Sequence, residues 1–267
     1  MNIKNKGQCQ QTALITGAAS GIGYQLACIF AVNNYNLVLV DRMEQKLLEI
    51  ADNFQKEFSI FVKTIVKDLS IPTSPEEIFT ELQQEAIKID VLVNNAGFGI
   101  YGLFNETNLT TELEMIQVNL VCLTNLTKLF LKDMVKQGNG KVLNVSSAAA
   151  FQPGPFMAVY FATKAYILSF SQALASELEG SGVTVTVLCP GPTESAFHEK
   201  TGAAGTKQVK GNKMMGAAEV AKIGYSALME GKTVIIPGLK NKILAEIVRF
   251  TPRNLVTKIV KNMQEIK

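Results

Sequence analysis

The chain has 267 residues, is 47% hydrophobic and carries a formal net charge of +3. That length suits one large α/β domain or two small ones, and the apolar share is ample for a core. The balanced charge makes no case for nucleic acid, and the sequence holds no run of about 18 apolar residues that would imply a membrane span.

In chain order, residues 12–16 (TALIT) form a short apolar run that ends in Gly17-Ala18-Ala19-Ser20-Gly21-Ile22-Gly23. A helical pattern follows, with Ile22, Leu26, Ile29 and Phe30 on one face. Residues 36–40 predict a second buried strand ending at Asp41, then a helix over 43–58. A third strand, about 60–66, ends near Asp68. Pro72 and Pro75 precede a helix with glutamates in its first turns, as the helix dipole favours. Residues 89–93 predict strand four, running into Asn94-Asn95-Ala96-Gly97. A long helix is expected over about 111–136, strand five over 141–146 and a helix over about 157–179. Strand six, 183–188, ends before Pro190-Gly191-Pro192. Residues 192–216 are Gly-, Thr- and Lys-rich and predict a mobile loop. A helix at 217–230 and a strand at 232–236 complete the alternation.

Continuous apolar strands alternating with helices indicate one parallel sheet covered on both faces. With no repeat and no linker, residues 1–267 are expected to form a single domain. Its core spans about 11–236. The four cysteines (Cys9, Cys28, Cys122, Cys189) form no CxxC pair, and only His198 could join them, so no metal site is expected. Three lie in apolar runs, as buried free thiols do in a reducing compartment. The polar opening MNIKNKGQCQQ lacks the apolar stretch of a signal peptide, and a cytoplasmic location is expected.

Ligands in such sheets bind at the carboxyl ends of the strands, where the notable residues fall. The glycine-rich turn after strand one would let the backbone approach a pyrophosphate at a helix N-terminus. Asp41, 18 residues beyond Gly23, can accept hydrogen bonds from a ribose 2′-hydroxyl and repels a 2′-phosphate, which favours NAD. Arg42 keeps NADP open. Asp41 could equally cap the helix expected from Met43. In Asn94-Asn95-Ala96-Gly97 the small residues leave room for a flat ring, and the amides can satisfy freed backbone groups. Ser146-Ser147 closes strand five. With His198 as the sole histidine, and that in a loop, a Ser-His-Asp hydrolase is improbable.

Tyr160 and Lys164 sit four residues apart, which on a helix puts their Cβ atoms roughly 5–6 Å apart on one face. A nearby ammonium lowers a phenol's pKa and can make it a general acid/base near neutrality. Alone, such a spacing also fits an ordinary exposed pair. TGAASGIG, NNAG, Asn119, Ser147, Tyr160-x-x-x-Lys164 and Pro190-Gly191 occur here in one order. That set resembles the short-chain dehydrogenase/reductase superfamily over about residues 11–236, in the bacterial branch related to ketoacyl and hydroxysteroid reductases.

The resemblance implies a Rossmann-type, doubly wound sheet of about seven strands and hydride transfer between a nicotinamide cofactor and an alcohol or carbonyl. It casts Tyr160 as acid/base, with Lys164 lowering its pKa and binding the nicotinamide ribose. Ser147 orients the substrate oxygen, and Asn119 holds a water that relays protons to Lys164. Ser147 is preferred to Ser146 because it lies 13 residues before Tyr160. For the cofactor the resemblance adds Gly17, Ser20, Gly21, Ile22 and Gly23 at the diphosphate. Asp41, Arg42, Asp68 and Leu69 go to the adenosine, Asn95, Ala96 and Gly97 to the ribose and nicotinamide side, and Pro190, Gly191, Thr193 and Ser195 to the carboxamide. Asp41-Arg42 stands where many members of the branch have a small residue before arginine. A homodimer or homotetramer is also implied. The rival class is a catalytically silent dinucleotide-binding sensor or scaffold.

Phe98, Ile100, Phe151, Pro153, Phe156 and Met157, with the 192–216 loop, are candidate pocket residues, and their mostly apolar character suits a lipophilic alcohol or ketone. His198 is expected to be solvated. The tail from Pro237 carries seven basic residues against two acidic, +5, which leaves −2 for the preceding 236 residues. Ile243, Leu244, Ile247 and Val248 form one apolar stripe. Leu255, Val256, Ile259, Val260 and Met263 form another, with Pro252 between them. A lid over the pocket or a subunit contact is favoured for this tail over a peripheral membrane helix.

Overall fold

The computed structural model describes residues 10–207 and 214–266. The N-terminal stretch with Cys9, the middle of the 192–216 segment and Lys267 lie outside them. Seven parallel strands form one sheet in the order β3-β2-β1-β4-β5-β6-β9. They are β1 (Thr12–Thr16), β2 (Asn36–Asp41), β3 (Val62–Val66), β4 (Val91–Asn94), β5 (Gly140–Val145), β6 (Val183–Leu188) and β9 (Val234–Ile235). The strand order reverses between β1 and β4, so a crevice opens at the carboxyl ends there.

Alternation along each strand feeds two layers. Ala13, Ile15, Leu37 and Leu39 face one core, shared with Leu26 and Phe30 of α1 (Gly21–Val32) and Leu47 of α2 (Glu44–Phe58). Val220 and Leu228 of α8 (Ala217–Met229) join the same core. Leu14, Val38, Leu92 and Val142 face the other, packed on Ile78 and Leu82 of α3 (Ser74–Gln84) and Leu126 and Phe130 of α5 (Leu123–Gln137). Both faces of the sheet are covered, which is why the strands read as unbroken apolar runs.

Several elements differ from the sequence reading. The long helix is interrupted. α4 (Leu109–Ile116) passes through a π-helical turn, Gln117–Cys122, into α5. The extra residue accommodates Asn119, which is buried and hydrogen-bonded away from the helix, and such wide turns collect at functional sites. Strand five stops at Val145, so Ser146 lies beyond it, and β9 has only two residues. The described parts of the 192–216 segment are not a bare loop, and residues 208–213 lie outside the described residues. The described parts form β7 (Thr193–Glu194), α7 (Phe197–Thr201) and β8 (Met215–Gly216), with β7 and β8 paired in parallel.

The tail folds as α9 (Leu239–Phe250) and α10 (Arg253–Gln264). α10 buries Val256 and Val260 against Met115, Met157, Tyr160 and Phe161 of the third core cluster. Its side chains Leu255 and Ile259 are exposed, so only half of the expected stripe is used. Among the described residues no helix is long and apolar enough to cross a membrane.

Candidate active site

The glycine-rich turn is held from both sides. Gly17 N–H donates to the Val40 carbonyl at 2.8 Å. The Thr16 hydroxyl accepts from the amides of Asn95 (3.0 Å) and Ala96 (3.1 Å) and donates to the Val93 carbonyl (3.3 Å). The Asn95 amide donates to the carbonyls of Thr16 (2.9 Å) and Gly17 (3.2 Å). The two loops at the switch point are thereby laced together. Gly17 has φ +67°, and a Cβ at Gly23 would run into the Gly17 carbonyl oxygen, so neither position accepts a side chain.

Ser20 caps α1 in an extended conformation with no side-chain hydrogen bond. The first-turn amides therefore keep their donors and the helix keeps its positive end. Gly17, Ser20, Gly21 and Ile22 all border the cleft. These donors and this backbone approach fit a diphosphate.

At the adenosine end, Asp41 accepts from Ala19 N–H (3.0 Å, Oδ2) and from Met43 N–H (3.1 Å, Oδ1). It does not cap a helix starting at Met43, because α2 begins at Glu44 and Met43 is itself the cap residue. Asp68 accepts from the Ser70 amide (2.9 Å) and hydroxyl (2.8 Å). These bonds hold its carboxyl below the usual carboxylate range, with Arg42 a smaller contributor. Arg42 reaches Asp68 at 3.8 Å across solvent, a weak pair.

The candidate acid/base group combines Ser147, just beyond β5, with Tyr160 and Lys164 of α6 (Ala158–Glu177). Tyr160 and Lys164 are both buried. Burial pushes the Tyr160 phenol up to about 12, with the neighbouring Ser147 hydroxyl pulling the other way. Burial pushes Lys164 down to about 8. Its Nζ donates to the Val145 carbonyl at 3.0 Å and lies 5.7 Å from the Tyr160 ring centre. The expected lowering of the phenol by the ammonium is therefore not a property of the protein alone, because burial dominates and raises the phenol instead.

The two serines have different partners. Ser146 donates to the Lys164 carbonyl at 2.8 Å and anchors the helix, while Ser147 interacts with Tyr160. Ser147 Oγ also accepts from Ala149 N–H at 3.1 Å. Asn119 accepts from Phe98 N–H (3.1 Å) and donates to the Phe98 carbonyl (3.0 Å) and the Thr163 hydroxyl (3.1 Å). A Cβ built on Gly97 would stand 3.0 Å from Asn119 Oδ1 and 3.5 Å from Lys164 Nζ. Gly97 thus leaves a small gap bordered by both groups.

The cleft encloses about 700 Å³, ample for a dinucleotide half-site and a substrate. Every candidate cofactor residue lines it except Gly23, which is packed beneath the turn, and Asn119 lies just behind the wall. Thr193 is buried and donates to the Gly191 carbonyl at 2.9 Å, and Ser195 faces Gly21 across the cleft. Of the apolar candidates, Phe98 and Met157 reach the cleft. Ile100 packs in the third cluster, Phe151 in a fourth, Phe156 stacks on Tyr101, and Pro153 is exposed.

His198 is not solvated as expected. It is half-buried on the cleft wall, edge-on to Phe197 at 5.6 Å, and burial pushes its pKa down. Phe161 and Gln264 are among the wall residues that escaped the sequence reading, and Phe197 lies in the 192–216 segment expected at the pocket. Phe197 leans on Tyr160 with ring centres 5.5 Å apart. Gln264 of α10 borders the cleft, and its carbonyl accepts from the Tyr101 hydroxyl at 2.7 Å. The apolar period of the tail carried a signal for α10, but nothing in it marked Gln264. Beside it Lys207 meets Glu265 at 2.8 Å, and Thr206 bridges to Ile266. The Cys122 and Cys189 thiols are buried and pushed up to about 12, chiefly by that burial, and are unreactive in that state.

A diphosphate cradle at a strand-order reversal, beside a buried tyrosine and lysine on one helix face, is the architecture of a nicotinamide-dependent oxidoreductase. A family model described as short chain dehydrogenase matches residues 11–205, and the chain belongs to that family. It is 34% identical over 182 residues to the very-long-chain 3-oxoacyl-CoA reductase of Rattus norvegicus, covering 67% of this chain and 58% of that protein. It is 28% identical over 242 residues to a ketoacyl reductase of Nostoc sp., covering 91% and 79%. The chain thus spans just over half the length of the rat relative. A solved short-chain dehydrogenase from Sphingobium yanoikuyae, in complex with NADPH, superposes with a TM-score of 0.82 at 30% identity, covering 92% of this chain and 94% of that one.

Proposed function

We propose that the chain interconverts a lipophilic alcohol and its ketone using NAD, with Tyr160 as the general acid/base. The observation that carries this reading is the convergence of Ser147, Tyr160 and Lys164 on one cleft with the diphosphate cradle. A silent dinucleotide sensor would have no use for a buried phenol paired with a hydroxyl and an ammonium. When bound, the nicotinamide supplies or accepts the hydride.

The chain's own residues handle the proton. In reduction the Tyr160 phenol donates to the carbonyl oxygen, and in oxidation it receives the hydroxyl proton. Ser147 holds that oxygen in place. Lys164 and Asn119 border the gap at Gly97, where a water would connect the phenol's proton supply to the interior. Acid/base assistance of this kind is worth about 10²–10⁴-fold.

The preference for NAD rests on charge. Asp41 and Asp68 both border the adenosine end, and Arg42 already faces Asp68. A 2′-phosphate would meet two carboxylates there. The apolar wall formed by Phe98, Met157, Phe161 and Phe197 supports a lipophilic substrate, as do the substrates in the rat and Nostoc names. Exposed Leu109, Leu113, Val121 and Val135 along α4 and α5 support subunit contact there.

The test is absorbance of the reduced nicotinamide with a panel of long-chain and alicyclic ketones, run on the native chain and on Tyr160→Phe. Turnover lost in the variant, with cofactor still bound, is expected. A variant keeping a tenth of native activity sinks the assignment.

A further inference from the structure

We propose that α9 is a docking surface for an anionic phospholipid bilayer, lying in the plane of the headgroups beside the mouth of the cleft. This stands apart from the reaction proposed above and rests on the two tail helices doing different work. α10 spends its apolar face on the cleft wall. α9 buries Ala245 and packs Val248 inward, yet it also presents an apolar stripe to solvent on the opposite side. That stripe is Leu239 (75% exposed), Ile243 (49%), Ile247 (52%) and Phe250 (86%). Its residues recur at the three- and four-residue spacing of one helix face, and they line a shallow groove with Lys242 and Glu246. A helix apolar on both faces has a second partner to find.

The stripe is flanked by cations. At about 100° per residue, Lys240 falls on one side of it and Lys242 and Arg249 on the other, Arg249 pairing with Glu246 at 3.1 Å. Arg253, Lys258 and Lys261 follow on α10. The tail carries +5 while the rest of the chain sums to −2, and α9 itself holds Lys240, Lys242 and Arg249 against Glu246, +2, beside its apolar stripe. That combination suits lipid headgroups and acyl chains together. It disfavours a second copy of this chain, because a two-fold contact would bring the same cations face to face. With 12 residues α9 reaches about 18 Å, too short to span a hydrocarbon core of about 30 Å but suited to lying on one.

The position is also specific. Asn241 donates to the Pro237 carbonyl at 2.8 Å, and its side chain packs so closely on Gly191 that a Cβ there would collide with it. The inner side of α9 is thus seated on the Pro190-Gly191 loop, leaving the outer side to face the membrane.

The test is flotation of the full chain with vesicles of phosphatidylcholine alone, or of phosphatidylcholine and phosphatidylserine at about 3:1. Recovery with the anionic vesicles only, lost at high salt, is expected. Ile247→Glu with Phe250→Glu should lower partition about 10-fold or more. Lys242→Glu with Arg249→Glu should lower it about 30-fold. None of these four residues lines the cleft, so turnover of a water-soluble ketone serves as the control for folding. No flotation of the native chain, or variants that float as it does, overturns the proposal. So does sedimentation showing that Ile247→Glu with Phe250→Glu splits an oligomer while vesicle binding is absent.

Discussion

The Lys164 ammonium donates to the Val145 carbonyl at 3.0 Å, one helical turn from the buried Tyr160 phenol. Both groups are held in the protein at a cost. Lysine normally titrates at 10.5 and here at about 8. A base whose folded pKa is depressed releases protons on folding, so it destabilises the fold wherever it is charged in the unfolded chain. That penalty is whole below about 8, shrinks as pH rises to 10.5, and is then gone. The shift corresponds to about 3 kcal/mol, offset by about 1 kcal/mol for the Val145 bond. Lys164→Met should therefore lose turnover and yet melt above the native chain at pH 7, with the gap closing toward pH 10.5. Thermal melts by circular dichroism across that range would show it. A variant melting lower at pH 7 would mean that the hydrogen bond outweighs desolvation.

Burial holds the Tyr160 phenol up at about 12, so it is protonated at neutral pH. Reduction needs that proton and oxidation needs its absence. Ketone reduction should be level through neutrality and fall at alkaline pH, while alcohol oxidation should climb with pH over the same interval. Initial rates in both directions would test this. Parallel profiles would remove Tyr160 from the proton path.

Gly97 leaves a gap between Asn119 Oδ1 and Lys164 Nζ. Gly97→Ala should fill it, lowering kcat by about 10–100-fold through the lost proton connection. A solvent isotope effect on kcat that rises in the variant would separate a proton-transfer defect from misfolding.

Asp41 holds Ala19 N–H and would face a cofactor's 2′ substituent. Asp41→Ala should shift the ratio of NADP to NAD affinity toward NADP by about 10-fold, near 1.4 kcal/mol. Arg42→Ala should shift it the other way. Titration calorimetry would read both. A strong NADP preference in the native chain would overturn the cofactor assignment.

The sheet was legible in the sequence because strands buried on both faces must be apolar throughout, as TALIT and NLVLV are. The cradle was legible because Gly17 and Gly23 admit no side chain. The π-turn at Gln117–Cys122 was not, since one extra residue leaves an apolar helical pattern almost unchanged. His198 was misread because it lies on the short helix α7 against Phe197 at the cleft wall, and no local pattern records such contacts. In the tail, periodicity marked the helices but not which face each would bury. Val248 turns inward, while Leu239 and Phe250, outside the expected stripe, turn out.

The contact between Tyr101 and the Gln264 carbonyl has a wider meaning. One side of the reaction chamber is shaped by early strands and turns, the other by a helix attached more than 200 residues later. On the function proposed above, a segment remote in sequence from the proton and hydride machinery borders the chamber through Gln264. Replacing residues 253–266 could retune which ketones are admitted while the chemistry stays as it is, making this helix the natural place to graft a new selectivity.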